Sequence, residues 1–140
     1  MKSTATARWA GSEGKISAAS GLFRDVSYNA KGRFEGGETG TTPEELIAAA
    51  HAACFSMAFN VGLTRAGINA KSIETKSVVE ILPAQGGGFG ITESVLTCTV
   101  EAPGADEAKV RELGEGAKNG CPVSKALTGI KISLNLTVKT

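Results

Sequence analysis

Six side chains in this sequence could do chemistry together: three cysteines, the single histidine, an arginine and a first-turn glutamate. The cysteines are Cys54, Cys98 and Cys121, and none belongs to a C-x-x-C pair. A reactive cysteine must be a thiolate, which needs a cation or the positive end of a helix beside it. Cys121, just before Pro122, is an expected N-cap and can be stabilised by the amides that follow. Cys54 lies in the middle of an apolar helix and would need a cation brought alongside. By that argument alone Cys121 is the favoured nucleophile. Cys98 falls between Leu96 and Val100 on the apolar face of a strand, where packing accounts for it. The bland reading of every free cysteine, a small core hydrophobe, stays open.

His51 precedes Cys54 by three residues, so the two are neighbours on a helix surface. A thiol–imidazole pair of the hydrolase kind is conceivable, although no acid is evident to orient the ring. A hydrogen-bonded structural histidine is the stronger alternative. Glu44 and Glu45 fit the first turn of a helix, where acids complement the dipole. One histidine and three scattered cysteines make a poor zinc set, and neither a G-x-G-x-x-G nor a Walker loop is present. No metal or bound cofactor is expected.

The element that must position these groups is Pro43 to Gly67. Thr41-Thr42-Pro43-Glu44-Glu45 has the grammar of a helix start and Gly67 that of a stop. The helix between them would be roughly 35 Å long. It is apolar on nearly all sides, with His51, Ser56, Asn60 and Thr64 as interruptions, so a short chain can hardly bury it alone. Upstream, residues 3–20 around Trp9 read as a hairpin, and residues 22–40 as a short strand and a loop through Gly36-Gly37 and Gly40 that carries Arg33. Downstream, Ile73, Thr75, Ser77, Val79 and Ile81 alternate with polar neighbours as in a half-buried strand. The glycines at 86–88 turn the chain into a second strand over residues 89–101. Residues 106–118 form an amphipathic helix with Ala108, Leu113 and Ala117 inward, weakened by Gly114 and Gly116. A short helix runs from Cys121-Pro122 through Leu127, and a final strand alternates Ile130, Ile132, Leu134, Leu136 and Val138 with polar residues. This order is α+β, without the regular alternation of a parallel sheet.

A chain of 140 residues, 41% hydrophobic, has the size of one domain spanning 1–140. Fifteen basic against fourteen acidic residues leave almost no net charge, which argues against nucleic acid or an anionic membrane as partner. The N-terminus has no apolar signal core and the long helix is interrupted by polar residues, so a cytoplasmic location is expected. An odd cysteine count there argues against a disulfide framework.

Arg33-Phe34-Glu35-Gly36, TTPEELIAAAHAACFSMA from Thr41 to Ala58, and Asn119-Gly120-Cys121-Pro122-Val123-Ser124 together resemble the osmotically inducible protein C branch of the OsmC/Ohr family. The resemblance runs over essentially the whole chain. It implies an intertwined homodimer whose antiparallel sheets wrap long central buried helices. It also implies a cysteine-based, peroxiredoxin-type peroxidase that reduces small organic hydroperoxides in stress defence. Carried over residue by residue, it makes Cys54 the peroxidatic and Cys121 the resolving cysteine, against the dipole argument. Arg33 and Glu44 become the polar pair that activates Cys54, with Glu45 the less favoured acid. The cycle needs no cofactor, only an external dithiol, dihydrolipoyl-type (as on a lipoylated protein) or thioredoxin-like. The other branch draws its arginine from a glycine-rich N-terminal segment, where Gly14-Lys15 stands here. Phe55, Met57, Phe59 and their neighbours are expected to give the sulfur an apolar approach that favours organic peroxides. Two other readings stay open: a dimeric redox sensor or ligand-binding protein that is oxidised without turnover, and a Cys54–His51 hydrolase.

Overall fold

The computed structural model describes residues 1–36 and 40–140, so Gly37, part of the expected loop, lies outside the described residues. The chain forms two units, residues 1–46 and 47–140.

In the first unit β1 (Ala5–Ala10) and β2 (Glu13–Ala18) form the expected antiparallel hairpin, and β3 (Val26–Tyr28) pairs with β2. Gly14 leaves room for Tyr28: a Cβ there would collide with the Tyr28 ring. The stretch expected as a loop instead contains a short helix, α1 (Ala30–Phe34). Asn29 caps it, its Oδ1 accepting the Gly32 amide hydrogen at 2.6 Å, an Asx cap that needs no hydrophobic periodicity to form.

The long helix α2 (Pro43–Arg65) starts in the first unit and runs into the second. Thr42 Oγ1 accepts the Glu45 amide hydrogen at 3.1 Å. At the other end Gly67 takes φ 74°, and the amides of Gly67 and Ile68 bond back to Thr64 and Leu63 at 3.0 and 2.9 Å. That is a Schellman stop, which glycine permits without strain. His51, Phe55, Phe59 and Leu63, four residues apart in turn, form the fully buried stripe. The expectation of a helix buried on nearly all sides is not met within this chain, because Met57 remains 70% and Val61 41% exposed. By length and composition alone α2 would also pass as a membrane span; its stripe packs in a protein core instead.

In the second unit β4 (Ser72–Pro83) and β5 (Phe89–Glu101) form the expected antiparallel hairpin, with a bulge between Glu80 and Ile81. α3 (Glu107–Gly120), capped by Asp106, and α4 (Pro122–Ala126) then lead into β6 (Lys131–Lys139). β6 joins β5 in parallel, which corrects the expectation of antiparallel sheets at this one edge. The reason is the connection: residues 102–130 carry the chain back along the sheet, long enough for a helical crossover, and β6 re-enters in the direction of β5. Phe55, Phe59 and Leu63 share one core with Leu96, Cys98, Val100, Val110 and Ala117, with Ile132, Leu134 and Leu136 packed against it. Within α3 Val110, Gly114 and Ala117 are buried and Leu113 packs against the core as expected, whereas Ala108, expected inward, is exposed. Gly114 lets α3 sit close on β6: a Cβ there would lie 2.7 Å from Leu136 Cδ2.

Candidate active site

Cys54 sits one residue before Phe55, at the edge of the buried stripe of α2, and is therefore half-buried. Cys121 is held where two helices meet. Its amide bonds to the Ala117 carbonyl at 3.0 Å, closing α3, and its sulfur accepts the Ser124 amide hydrogen at 3.3 Å, opening α4. The side chain is fully buried. Burial pushes the Cys54 thiol above its ordinary range, the neighbouring Cys121 thiol adds to that, and only the Val123 amide pulls the other way. The structure thus brings the two thiols together, and this surrounding favours a protonated Cys54. Activating it as a nucleophile calls for a cation.

Beside Cys54 opens a trough of about 530 Å³, lined by Met57, Ala58, Val61, Leu113, Ala117 and Pro122, with Arg65 and Glu112 on its border. Of the three large residues expected to make an apolar approach, Met57 alone lines the trough. Phe55 and Phe59 point into the core because they share the buried four-residue stripe. Cys98 is 1% exposed in that core, as its strand position implied.

His51 is fully buried and does not need Cys54 as a partner. Its Nδ1 lies 2.7 Å from Ser94 Oγ and its Nε2 2.9 Å from Ser124 Oγ. Ser94 Oγ is 3.1 Å from Ser77 Oγ, and Ser124 Oγ is 3.0 Å from Cys121 Sγ. Burial lowers the histidine's pKa, so the ring is neutral, with one nitrogen donating and the other accepting. Sequence reasoning missed Ser77 and Ser94 as functional candidates and took Ser124 only for its amide. The available signal was a hydroxyl on the inward face of each strand: Ser77 in line with Ile73 and Val79, Ser94 with Leu96.

The other pair lies in the first unit. Arg33, on α1, faces Glu44, in the first turn of α2: Nε donates to the two carboxylate oxygens at 3.1 and 3.3 Å and Nη2 to Oε1 at 2.6 Å. The Glu44 side chain is 8% exposed and that of Arg33 33%. The guanidinium also stands 5.1 Å from the Phe34 ring centroid and borders a hollow of about 150 Å³ with Trp9 and Tyr28. Glu45 is engaged elsewhere, accepting from Thr41 Oγ1 at 2.7 Å.

Fold and site together define an α+β thiol protein: two neighbouring cysteines, one on a long helix and one at a helix junction, and an arginine–glutamate fork. Among proteins of that kind, the chain matches the family described as OsmC-like protein over residues 36–135. It is 42% identical over 138 residues to the peroxiredoxin OsmC of Escherichia coli, covering 96% of this chain and 94% of that protein. It is 36% identical over 130 residues to the organic hydroperoxide resistance protein OhrB of Bacillus subtilis, covering 90% of each. The crystal structure of an organic hydroperoxide resistance protein from Elizabethkingia anophelis superposes with a TM-score of 0.78 at 31% identity, covering 100% of this chain and 96% of the other. The chain belongs to the OsmC-like family.

Proposed function

We propose that this protein is a cysteine-based peroxidase that reduces organic hydroperoxides to alcohols, with Cys54 peroxidatic and Cys121 resolving. The observation that carries the reading is that Cys54, which lines an apolar trough, has Cys121 as its neighbour, in a chain whose relatives are a peroxiredoxin and organic hydroperoxide resistance proteins. The Cys54 thiolate attacks the distal peroxide oxygen, the O–O bond breaks, and the departing alkoxide takes a proton to become the alcohol. Cys54 is left as a sulfenic acid. Cys121 displaces its hydroxyl as water, forming a disulfide, and an external dithiol, dihydrolipoyl-type or thioredoxin-like, reduces it again.

The cation that Cys54 needs is Arg33, aimed by the Glu44 fork. Glu44 and Cys54 lie ten residues apart on α2, roughly 15 Å along its axis. A single continuous helix therefore keeps them apart, and Arg33 and Glu44 act on the Cys54 of the other subunit in a homodimer. The exposed Met57 and Val61 on α2 support a second copy covering that face. The working unit in this reading is a cytoplasmic dimer of single-domain chains.

Steady-state consumption of cumene hydroperoxide and, separately, hydrogen peroxide with dihydrolipoate tests the cycle. The parent turns over and prefers the organic peroxide, Cys54→Ser is inactive, and Cys121→Ser stops after one equivalent. A parent that oxidises once and never turns over would overturn the enzymatic reading in favour of a redox sensor. The engagement of both His51 nitrogens by serine hydroxyls argues against a Cys54–His51 hydrolase.

A further inference from the structure

A buried imidazole that touches neither a thiol nor solvent, yet lies one hydroxyl away from a thiol, is an unusual thing to place in a core. An apolar residue would fill the same space without the cost of taking a polar ring out of water. Here every group in the row is matched: Ser77, Ser94, His51, Ser124 and Cys121 follow one another at 3.1, 2.7, 2.9 and 3.0 Å. Serine hydroxyls can donate and accept at once, and a neutral imidazole does the same through its two nitrogens. The row is therefore a continuous proton path that ends on the Cys121 sulfur.

Resting on the two-cysteine cycle proposed above, the geometry points to a proton relay for the resolving step: Ser124 takes the Cys121 thiol proton as Cys121 attacks the Cys54 sulfenic acid, and His51 receives the Ser124 proton. Ser124 touches the reacting sulfur and is the catalytic member. His51 is a positioning residue that orients the Ser124 hydroxyl through Nε2, while Ser94, backed by Ser77, fixes the tautomer by accepting from Nδ1. In the step, the Cys121 S–H proton passes to Ser124 Oγ and the Ser124 O–H proton to Nε2. The Cys121 sulfur forms the S–S bond, the Cys54 S–O bond breaks, and the leaving hydroxide takes the proton back along the path. One water is released, the histidine and both serines are regenerated, and no further oxidant or reductant is consumed.

The groups facing His51 are the Ser94 hydroxyl from β5 and the Ser124 hydroxyl from α4. Behind these stand the Ser77 hydroxyl on β4 and the Cys121 thiol, the latter beside Cys54. Among the described residues none of the ion pairs includes a member of this row. The relay thus titrates with the histidine itself. Burial lowers that pKa from the usual 6.5, so the relay is in its working, neutral form at neutral pH and fails only as pH falls below that value.

Single-turnover kinetics separate the two steps. The reduced protein receives one equivalent of cumene hydroperoxide; peroxide loss reports sulfenic acid formation, and acid-quenched thiol alkylation with mass analysis reports the disulfide. In Ser124→Ala and His51→Gln the rate of disulfide formation, relative to that of peroxide loss, falls at least roughly ten-fold, the low end for a lost proton-transfer group. In the parent the disulfide step slows as pH drops through an inflection below 6.5, and Ser124→Ala lacks that inflection. A structural role for His51 would slow peroxide loss and disulfide formation together on acidification, whereas the relay confines the inflection to disulfide formation; its absence from that step in the parent overturns the relay even if His51→Gln fails to fold. An unchanged step ratio in folded Ser124→Ala overturns it equally. A parent that loses no peroxide, or loses it without forming the disulfide, instead removes the two-cysteine cycle and the relay with it.

Discussion

The Arg33–Glu44 fork carries a quantitative expectation. Its carboxylate is almost fully buried while its guanidinium is one-third exposed, with contacts down to 2.6 Å. An exposed ion pair contributes about 0.2–1 kcal/mol. Removing one partner of a fully buried pair costs about 3–5 kcal/mol, because the other charge is left stranded. This pair lies between those limits, since solvent reaches the arginine and screens it. Hydrogen bonds to charged groups contribute about 1.5–3 kcal/mol, so a coupling of about 2 kcal/mol is expected. A double-mutant cycle of Arg33→Met and Glu44→Gln, followed by urea unfolding, measures it. Each single change destabilises by about 2 kcal/mol and the double change by little more than either. Because Glu44 is shielded, most of the coupling survives in about 0.5 M salt, where an exposed pair would lose its share. The same cycle run on peroxide turnover gives two poorly active single variants and a double variant no worse. Strict additivity in stability, within about 0.5 kcal/mol, would refute the view that Glu44 is what holds Arg33.

Four other perturbations follow from the geometry. The lowered pKa of His51, caused by burial, makes the folded state bind fewer protons than the unfolded one as pH falls below 6.5. The stability it contributes is fully present above that pH and is lost on acidification, so urea midpoints measured from about pH 7.5 down to about pH 5 should fall more steeply in the parent than in His51→Gln. Phe59→Ala empties a site at the centre of the core, where the ring lies 5.6 Å from Phe55. Denaturant unfolding should show a loss of about 3–5 kcal/mol, and a loss below about 1 kcal/mol would mean that the site collapses freely. The two glycines of α3 should behave in opposite ways. Gly116→Ala meets nothing within 4 Å and should raise the thermal midpoint through a gain of about 0.5–1 kcal/mol in helix propensity. Gly114→Val drives its side chain toward Leu136 and Phe59 and should lower it, overpacking costing about 1–3 kcal/mol.

What could be read from the sequence was what local grammar encodes. The Thr42 cap, the Gly67 stop, the β4–β5 hairpin and the Cys121 N-cap each depend on a few adjacent residues, and each is found where expected. α1 escaped because a five-residue helix capped by Asn29 is too short to carry a periodicity. The parallel edge of β6 escaped for a different reason. Alternation reports which face of a strand is buried, and Ile132, Leu134 and Leu136 would alternate identically in either direction. The parallel return needs a crossover, which the 102–130 connection with its two helices is long enough to make.

The site shows the same division between what is local and what the fold assembles. Cys54, Cys121, Arg33 and Glu44 stand in recognisable short motifs. The row from Ser77 to Cys121 draws on β4, β5, α2 and α4, and no two of its members adjoin in sequence. Each hydroxyl alone reads as a weak spot in an apolar face, and each is stable only because the next one satisfies it. That interdependence makes the row open to dissection: removing Ser94 or Ser124 leaves one nitrogen of a buried imidazole unpaired, and the ring must turn, find water or protonate. A substitution at either end of His51 should therefore disturb the other end, and the two serine changes should be strongly non-additive in both stability and the disulfide-forming step.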